Sequence, residues 1–161
     1  MKRAGIIAIA FLLLATGNAL ARAPRVGEPV SPFRLADLGG KTVDTGQLRG
    51  KTVVIYFWND KCGCSEQLVQ LRDFVVGRRK QPFVFLTVNE GQGRGVAEGF
   101  VREHNLPYQV LLDNDLAVGT KLFGIKVLPT IFVIDKGGVL REKMIGIVKS
   151  KRLETIIARY L

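Results

Sequence analysis

Chemistry-bearing side chains are scarce in this 161-residue chain, which has two cysteines, one histidine, one tryptophan and two methionines. Two cysteines exclude a disulfide-stapled scaffold, and with a single histidine they leave too few soft donors for a closed four-ligand zinc site. No internal repeat or low-complexity tract is present. Gly91-Gln92-Gly93-Arg94-Gly95 has spaced glycines but lacks the dinucleotide or P-loop pattern, and reads as a flexible loop after a strand, in a place that could serve a partner-specificity loop. Asp113 and Asp115 flank Asn114 without the rest of a calcium loop, so they read as a turn and an N-cap. Charge of one sign is short: 14 acidic residues stand against 24 basic ones, for a net +10. The basic residues are scattered and not interleaved with aromatics. Their one tight run, Arg78-Arg79-Lys80, falls at a predicted helix end, where positive charge complements the helix dipole. A nucleic-acid partner is therefore not expected, and the charge reads as solvated surface.

What is there describes an ordinary globular protein, 47% apolar and 24% charged, long enough for one domain and a targeting segment. The cationic start Met1-Lys2-Arg3 precedes the apolar run from Ala4 to Ala15, and small residues follow at Ala19, Ala21 and Ala23. This is the layout of a secretory signal peptide over residues 1–21, cleaved after Ala21 or after Ala23, with the mature domain running over residues 24–161. Cleavage after Ala21 is preferred, because the other would leave Pro24 at the new terminus. An uncleaved membrane anchor over Ala4 to Ala21 is the alternative, short for a bilayer span. Both place the domain outside the cytoplasm, most simply in the bacterial periplasm; cleavage, which removes Lys2 and Arg3, leaves a mature charge of about +8.

The mature sequence alternates strand and helix signals. Phe33 to Ala36 and Lys41 to Asp44 flank Gly39-Gly40 as a hairpin. Thr52 to Trp58 is a nearly continuous apolar run, as expected of a strand covered on both faces. Residues 64–79 carry Leu68, Leu71, Val75 and Val76 at helical spacing. Pro82 to Val88 predicts a strand, Gly95 to His104 a short amphipathic helix, Tyr108 to Leu112 a strand and Leu116 to Phe123 a helix. Thr130 to Ile134 and Val139 to Ile147 predict a second hairpin, and Ser150 is placed as N-cap of a closing helix. The order predicts an α/β fold with a central mixed sheet, helices on both faces and an N-terminal hairpin extension. Chemistry in such folds sits at the carboxyl end of a central strand, here Trp58-Asn59-Asp60-Lys61-Cys62-Gly63-Cys64-Ser65.

Val26-Gly27-Glu28-Pro29 through Phe33, Leu38-Gly39-Gly40-Lys41, and Leu48-Arg49-Gly50-Lys51 before a strand ending Phe57-Trp58 form one set of signatures. Val127-Leu128-Pro129-Thr130, followed by Phe132, Ile134-Asp135 and Gly138, forms a second. Together they resemble the exported thioredoxin-like thiol:disulfide oxidoreductases of the TlpA type, in the redoxin superfamily, from about Val26 to the C-terminus. The resemblance implies a thioredoxin-like fold, redox-active cysteines, no bound cofactor or metal, and partners that are protein thiols and disulfides. It also implies that Pro129 is cis and lies against the cysteines, with Leu128 offering its backbone to an incoming peptide and Thr130 beside them.

The departure from that family lies in the cysteines. Cys62 stands four residues after Trp58, as the family's first cysteine does, but the second expected position holds Ser65 and the second thiol is Cys64. Helical residues two apart point away from each other, so Cys62 and Cys64 cannot bridge if residues 62–64 are all helical. Gly63 is the residue that can supply the unusual backbone angle, with the helix then starting near Cys64. A three-residue ring leaves little freedom to reach disulfide geometry, which predicts an easily reduced bond. Cys62, at a helix N-terminus beside Lys61, is the expected attacking thiolate, and Cys64 the resolving one. Lys61 takes the place of a tryptophan often found there in the family. Trp58 is expected as core with its edge near the cysteines. A single-thiol site at Cys62 and a spare Cys64 both remain open.

Two alternatives are weighed against disulfide exchange. A peroxiredoxin-type peroxidase needs Thr or Ser three residues before its cysteine and Pro seven before; Cys62 has Asn59 and Ile55 there, and Cys64 has Lys61 and Phe57. A copper-handling protein would use the paired thiolates for Cu(I), with His104 or Met144 as third ligand. His104 reads more simply as a helix-end residue and Met144 as core.

Overall fold

The computed structural model describes residues 22–161, so the predicted signal peptide lies outside the described residues. Seven strands form one mixed sheet. In chain order they are β1 Arg34–Asp37, β2 Thr42–Asp44, β3 Thr52–Trp58, β4 Phe83–Glu90, β5 Gln109–Asp113, β6 Thr130–Ile134 and β7 Leu140–Ile145. Among the described residues the α-helices are α1 Ser65–Gln70, α2 Arg72–Val76, α3 Arg94–Glu103 and α4 Ser150–Ala158. Across the sheet the order is β2-β1-β5-β4-β3-β6-β7.

β3 lies inside the sheet because its run is almost wholly apolar, and all seven of its residues are buried. It pairs in parallel with β4, from Thr52↔Phe83 to Trp58↔Asn89, and antiparallel with β6, where Phe57 faces Thr130. Strand alternation sends Val54, Tyr56 and Trp58 to one face and Val53, Ile55 and Phe57 to the other. The β3–β4 and β4–β5 connections cross over the first face, which therefore receives α1, α2, α3 and also α4 through Leu68, Leu71, Phe74, Phe100, Leu153 and Ile157. The second face is covered by shorter pieces: the entry segment with Val30 and Phe33, a 3-10 turn at Thr45–Leu48, and a π-helical turn at Ala117–Leu122. Phe57, Phe123 and Phe132 meet there with ring centroids 4.6–5.7 Å apart. Each such ring, fully buried, contributes about 1.5–3 kcal/mol from area alone.

Several boundaries differ from the sequence reading. The helix expected over residues 64–79 is two helices, broken at Leu71, and the guanidinium of Arg72 turns to the carbonyl oxygens of His104 and Asn105. The helix expected near Leu116 is the π-helical turn, entered through Leu116 in the left-handed region at φ +58°. β4 continues two residues beyond Val88, through Asn89 and Glu90. Ser150 is the first residue of α4 rather than its cap, a place taken by Lys149; the Ser150 hydroxyl instead donates to Gln70 Oε1 at 2.7 Å.

Candidate active site

The chain leaves the carboxyl end of β3 at Trp58 and turns at once. Asn59 shapes the turn, its side-chain oxygen accepting the Lys61 N–H at 3.0 Å and its carbonyl accepting the Cys62 N–H at 3.3 Å. Gly63 follows at φ +63°, in the left-handed region that costs other L-residues about 1 kcal/mol or more. That angle keeps residues 62–64 out of the helix, and the Cys62 and Cys64 sulfurs are bonded, with Cα atoms 5.3 Å apart, inside the range disulfides use. α1 begins at Ser65 with Cys64 as its N-cap. The helix thus starts where closure of the ring was expected to put it, with Cys64 holding the cap, and Cys62, expected at a helix N-terminus, precedes the first turn.

Exposure separates the two cysteines. Cys62 is half-buried, whereas Cys64 is 1% exposed and packs with Trp58 and Leu68. Trp58 is fully buried, its ring 4.4 Å from that of Phe100. Lys61 and Gly63 are exposed and Ser65 is half-buried. Below the loop the Tyr56 hydroxyl donates to Gln67 Oε1 at 2.6 Å, and Gln67 Nε2 donates to the Val148 carbonyl. Burial pushes the Tyr56 hydroxyl well above its ordinary range, so it remains a donor. This link ties α1, whose N-cap is Cys64, to the sheet and to the segment after β7.

The second signature loop arrives at the same end of the sheet. The Leu128–Pro129 peptide bond is cis, and Pro129 is buried. Its carbonyl accepts the Gly146 N–H at 2.8 Å, and the Thr130 hydroxyl donates to the Val127 carbonyl at 2.6 Å. Because Thr130 pairs with Phe57, Pro129 is set at the carboxyl end of β3, where the cysteine loop departs. Val127, Ile145 and Ile147, in the loop and the strand end beside it, are 54–61% exposed. The other sequence candidates lie elsewhere: His104 caps α3 with its ring on Phe100, and Met144 pairs with Ile131 against the core.

Sequence reasoning missed two polar clusters at this end of the sheet. Gln92, in the spaced-glycine loop, accepts the Asp60 N–H and an Asn89 side-chain N–H, each at 3.0 Å, and donates to the Asp60 carboxylate. Glu90 and Asp113 face each other across β4 and β5, both buried. Asp113 accepts N–H bonds from Val118 and Gly119, at 2.7 Å for the latter, while burial, and next the Asp113 charge, push Glu90 up to about 9. The available signal was a polar residue ending each apolar strand.

Seven mixed strands, a cysteine loop leaving β3, and a cis-proline loop beside it define a thioredoxin-like protein. The model of the AhpC/TSA family matches residues 26–143, and the chain belongs to that family. It is similar to thiol-disulfide oxidoreductase ResA of Bacillus cereus, 28% identical over 81% of this chain and 75% of the relative. It is also similar to ResA of Geobacillus thermodenitrificans, 30% identical over 75% of this chain and 70% of the relative. Among solved structures, StoA from Bacillus subtilis superposes with a TM-score of 0.67 at 22% identity, covering 80% of this chain and 97% of that one. A thiol:disulfide interchange protein from Chlorobium tepidum gives 0.72 at 19% identity, covering 86% and 99%. Within its family the chain is a thioredoxin-like thiol-disulfide oxidoreductase, and the peroxidase alternative is not favoured.

Proposed function

We propose that the protein exchanges disulfides with partner proteins through Cys62 and Cys64, in an exported compartment that the N-terminal signal delivers it to. The observation that carries the assignment of roles is the exposure difference: Cys62 is half-buried, whereas Cys64 is 1% exposed. A partner thiolate reaches Cys62 Sγ, forms the mixed disulfide there and expels Cys64 as thiolate. A second partner thiolate then attacks the partner's own sulfur, releasing Cys62, so that two electrons and two protons pass to this protein and the partner gains a disulfide. The reverse sequence starts with Cys62 thiolate attacking a partner disulfide, and Cys64 resolves the mixed species. Lys61 beside Cys62 favours its thiolate. Leu128, Pro129 and Thr130 receive the partner's extended backbone, and Val127, Ile145 and Ile147 offer it apolar contact. No cofactor or metal enters either direction.

The test traps the intermediate. Cys64→Ala, mixed with a peptide disulfide, should retain one equivalent of peptide on Cys62, read by intact mass, and Cys62→Ala should retain none. Retention on Cys64 in the second variant, with none on Cys62 in the first, would reverse the roles. For export, N-terminal sequencing after expression in a bacterium should begin at Arg22 or Pro24; a chain still carrying Met1 would point to the anchored alternative.

A further inference from the structure

We infer that Gln92 is a positioning residue for the redox loop, holding the turn before Cys62 in the shape that favours the closed disulfide. The inference rests on the reading that Cys62 and Cys64 form the working pair. Gln92 is half-buried in the loop after β4, and both ends of its amide are used. Its oxygen accepts the Asp60 N–H and an Asn89 side-chain N–H at 3.0 Å each, and its nitrogen donates to Asp60 Oδ1. Asp60 is thus gripped by backbone and side chain together. The residue before it, Asn59, carries the carbonyl that accepts the Cys62 N–H and lies 4.0 Å from Cys64 Sγ. The grip also has a fixed base, because Asn89 is fully buried and pairs with Trp58 in the sheet.

The consequence is one of preorganisation. Closing the ring converts two thiols into one disulfide and transfers two electrons and two protons to an acceptor such as glutathione disulfide, which becomes two glutathione molecules. The equilibrium depends on the effective concentration of one thiol near the other, which falls when the joining backbone is free to wander. With Gln92 in place, part of that ordering is already present in the dithiol form. By reciprocity, the closed ring strengthens the Gln92 grip as much as the grip favours the ring.

The experiment measures the Cys62–Cys64 equilibrium in glutathione buffers for wild type, Gln92→Ala, Asp60→Ala and the double variant, with urea unfolding of the oxidised and reduced forms. Gln92→Ala should lower the equilibrium constant for disulfide formation about tenfold. It should destabilise the oxidised form more than the reduced one. Asp60→Ala, which keeps the backbone N–H, should give a smaller shift, and adding it to Gln92→Ala should change nothing further. A merely structural role would lower both stabilities equally and leave the equilibrium in place; that result, or strictly additive shifts, would overturn the inference alone. A wild type that forms no internal disulfide would overturn the dithiol reading beneath it as well.

Discussion

Glu90 offers a quantitative test of the packing at the active-site end of the sheet. Its carboxyl lies against the Asp113 carboxyl across the β4–β5 register, in a site where Glu90 is 6% and Asp113 0% exposed. Asp113 spends its oxygens on the Val118 and Gly119 N–H groups, whereas Glu90 Oε1 is buried without a hydrogen-bond partner among the described residues, so Glu90 is the carboxyl that its surroundings keep protonated. Burial, with the Asp113 charge second, moves Glu90 from 4.5 to about 9. A raised carboxyl pKa means that the folded state binds a proton the unfolded state has released. Its stability contribution is complete below about pH 4.5 and is lost progressively as pH rises to about 9. The slope reaches at most about 1.4 kcal/mol per pH unit, so between pH 5 and 8 the loss is up to about 4 kcal/mol. Glu90→Gln keeps the shape and a donor toward Asp113 but binds no proton. Urea unfolding at pH 5, 6, 7 and 8 should show the variant gaining on wild type by a few kcal/mol across that range, with similar m-values. Parallel stability curves for the two proteins would refute the proton on Glu90.

Two other substitutions probe the site's supports. Tyr56→Phe leaves buried Gln67 Oε1 without its 2.6 Å donor and should cost about 1–3 kcal/mol in urea unfolding. Gly63→Ala meets no atom within 4 Å of the added Cβ, so its penalty is confined to the backbone angle of φ +63°. It should cut the disulfide equilibrium constant about fivefold while leaving the dithiol form's stability nearly unchanged, since the open loop can relax to another angle; thiol alkylation in glutathione buffers reads this directly.

The parts legible in the sequence are those set by burial on two sides or by a backbone requirement. Thr52–Trp58 and Thr130–Ile134 are strands with the bounds read from their apolar runs, because no polar face interrupts them. Gly63 stood out as the position able to leave the helical path, and its positive φ follows from the need to bring residues two apart together. Long-range polar partnerships were not legible. Asn89 and Glu90 fell outside the predicted strand, which stopped at Val88, because their partners, Gln92 and Asp113, become neighbours only through a turn and a strand register. The break at Leu71 was hidden for a related reason: Leu68, Leu71 and Val75 keep helical spacing through it. The helix start near Cys64 was legible for the same backbone reason as Gly63, since residues two apart can bridge only outside the helix, while Cys62 itself precedes the first turn.

The central claim is that Cys62 and Cys64 form a working disulfide. Its most direct test is intact mass after thiol alkylation, with the protein equilibrated across a series of glutathione redox buffers. One reversible two-electron transition is expected between a dithiol carrying two alkyl groups and a disulfide carrying none, abolished in Cys64→Ala. Accumulation of glutathione on Cys62, with no internal disulfide at any buffer ratio, would contradict it.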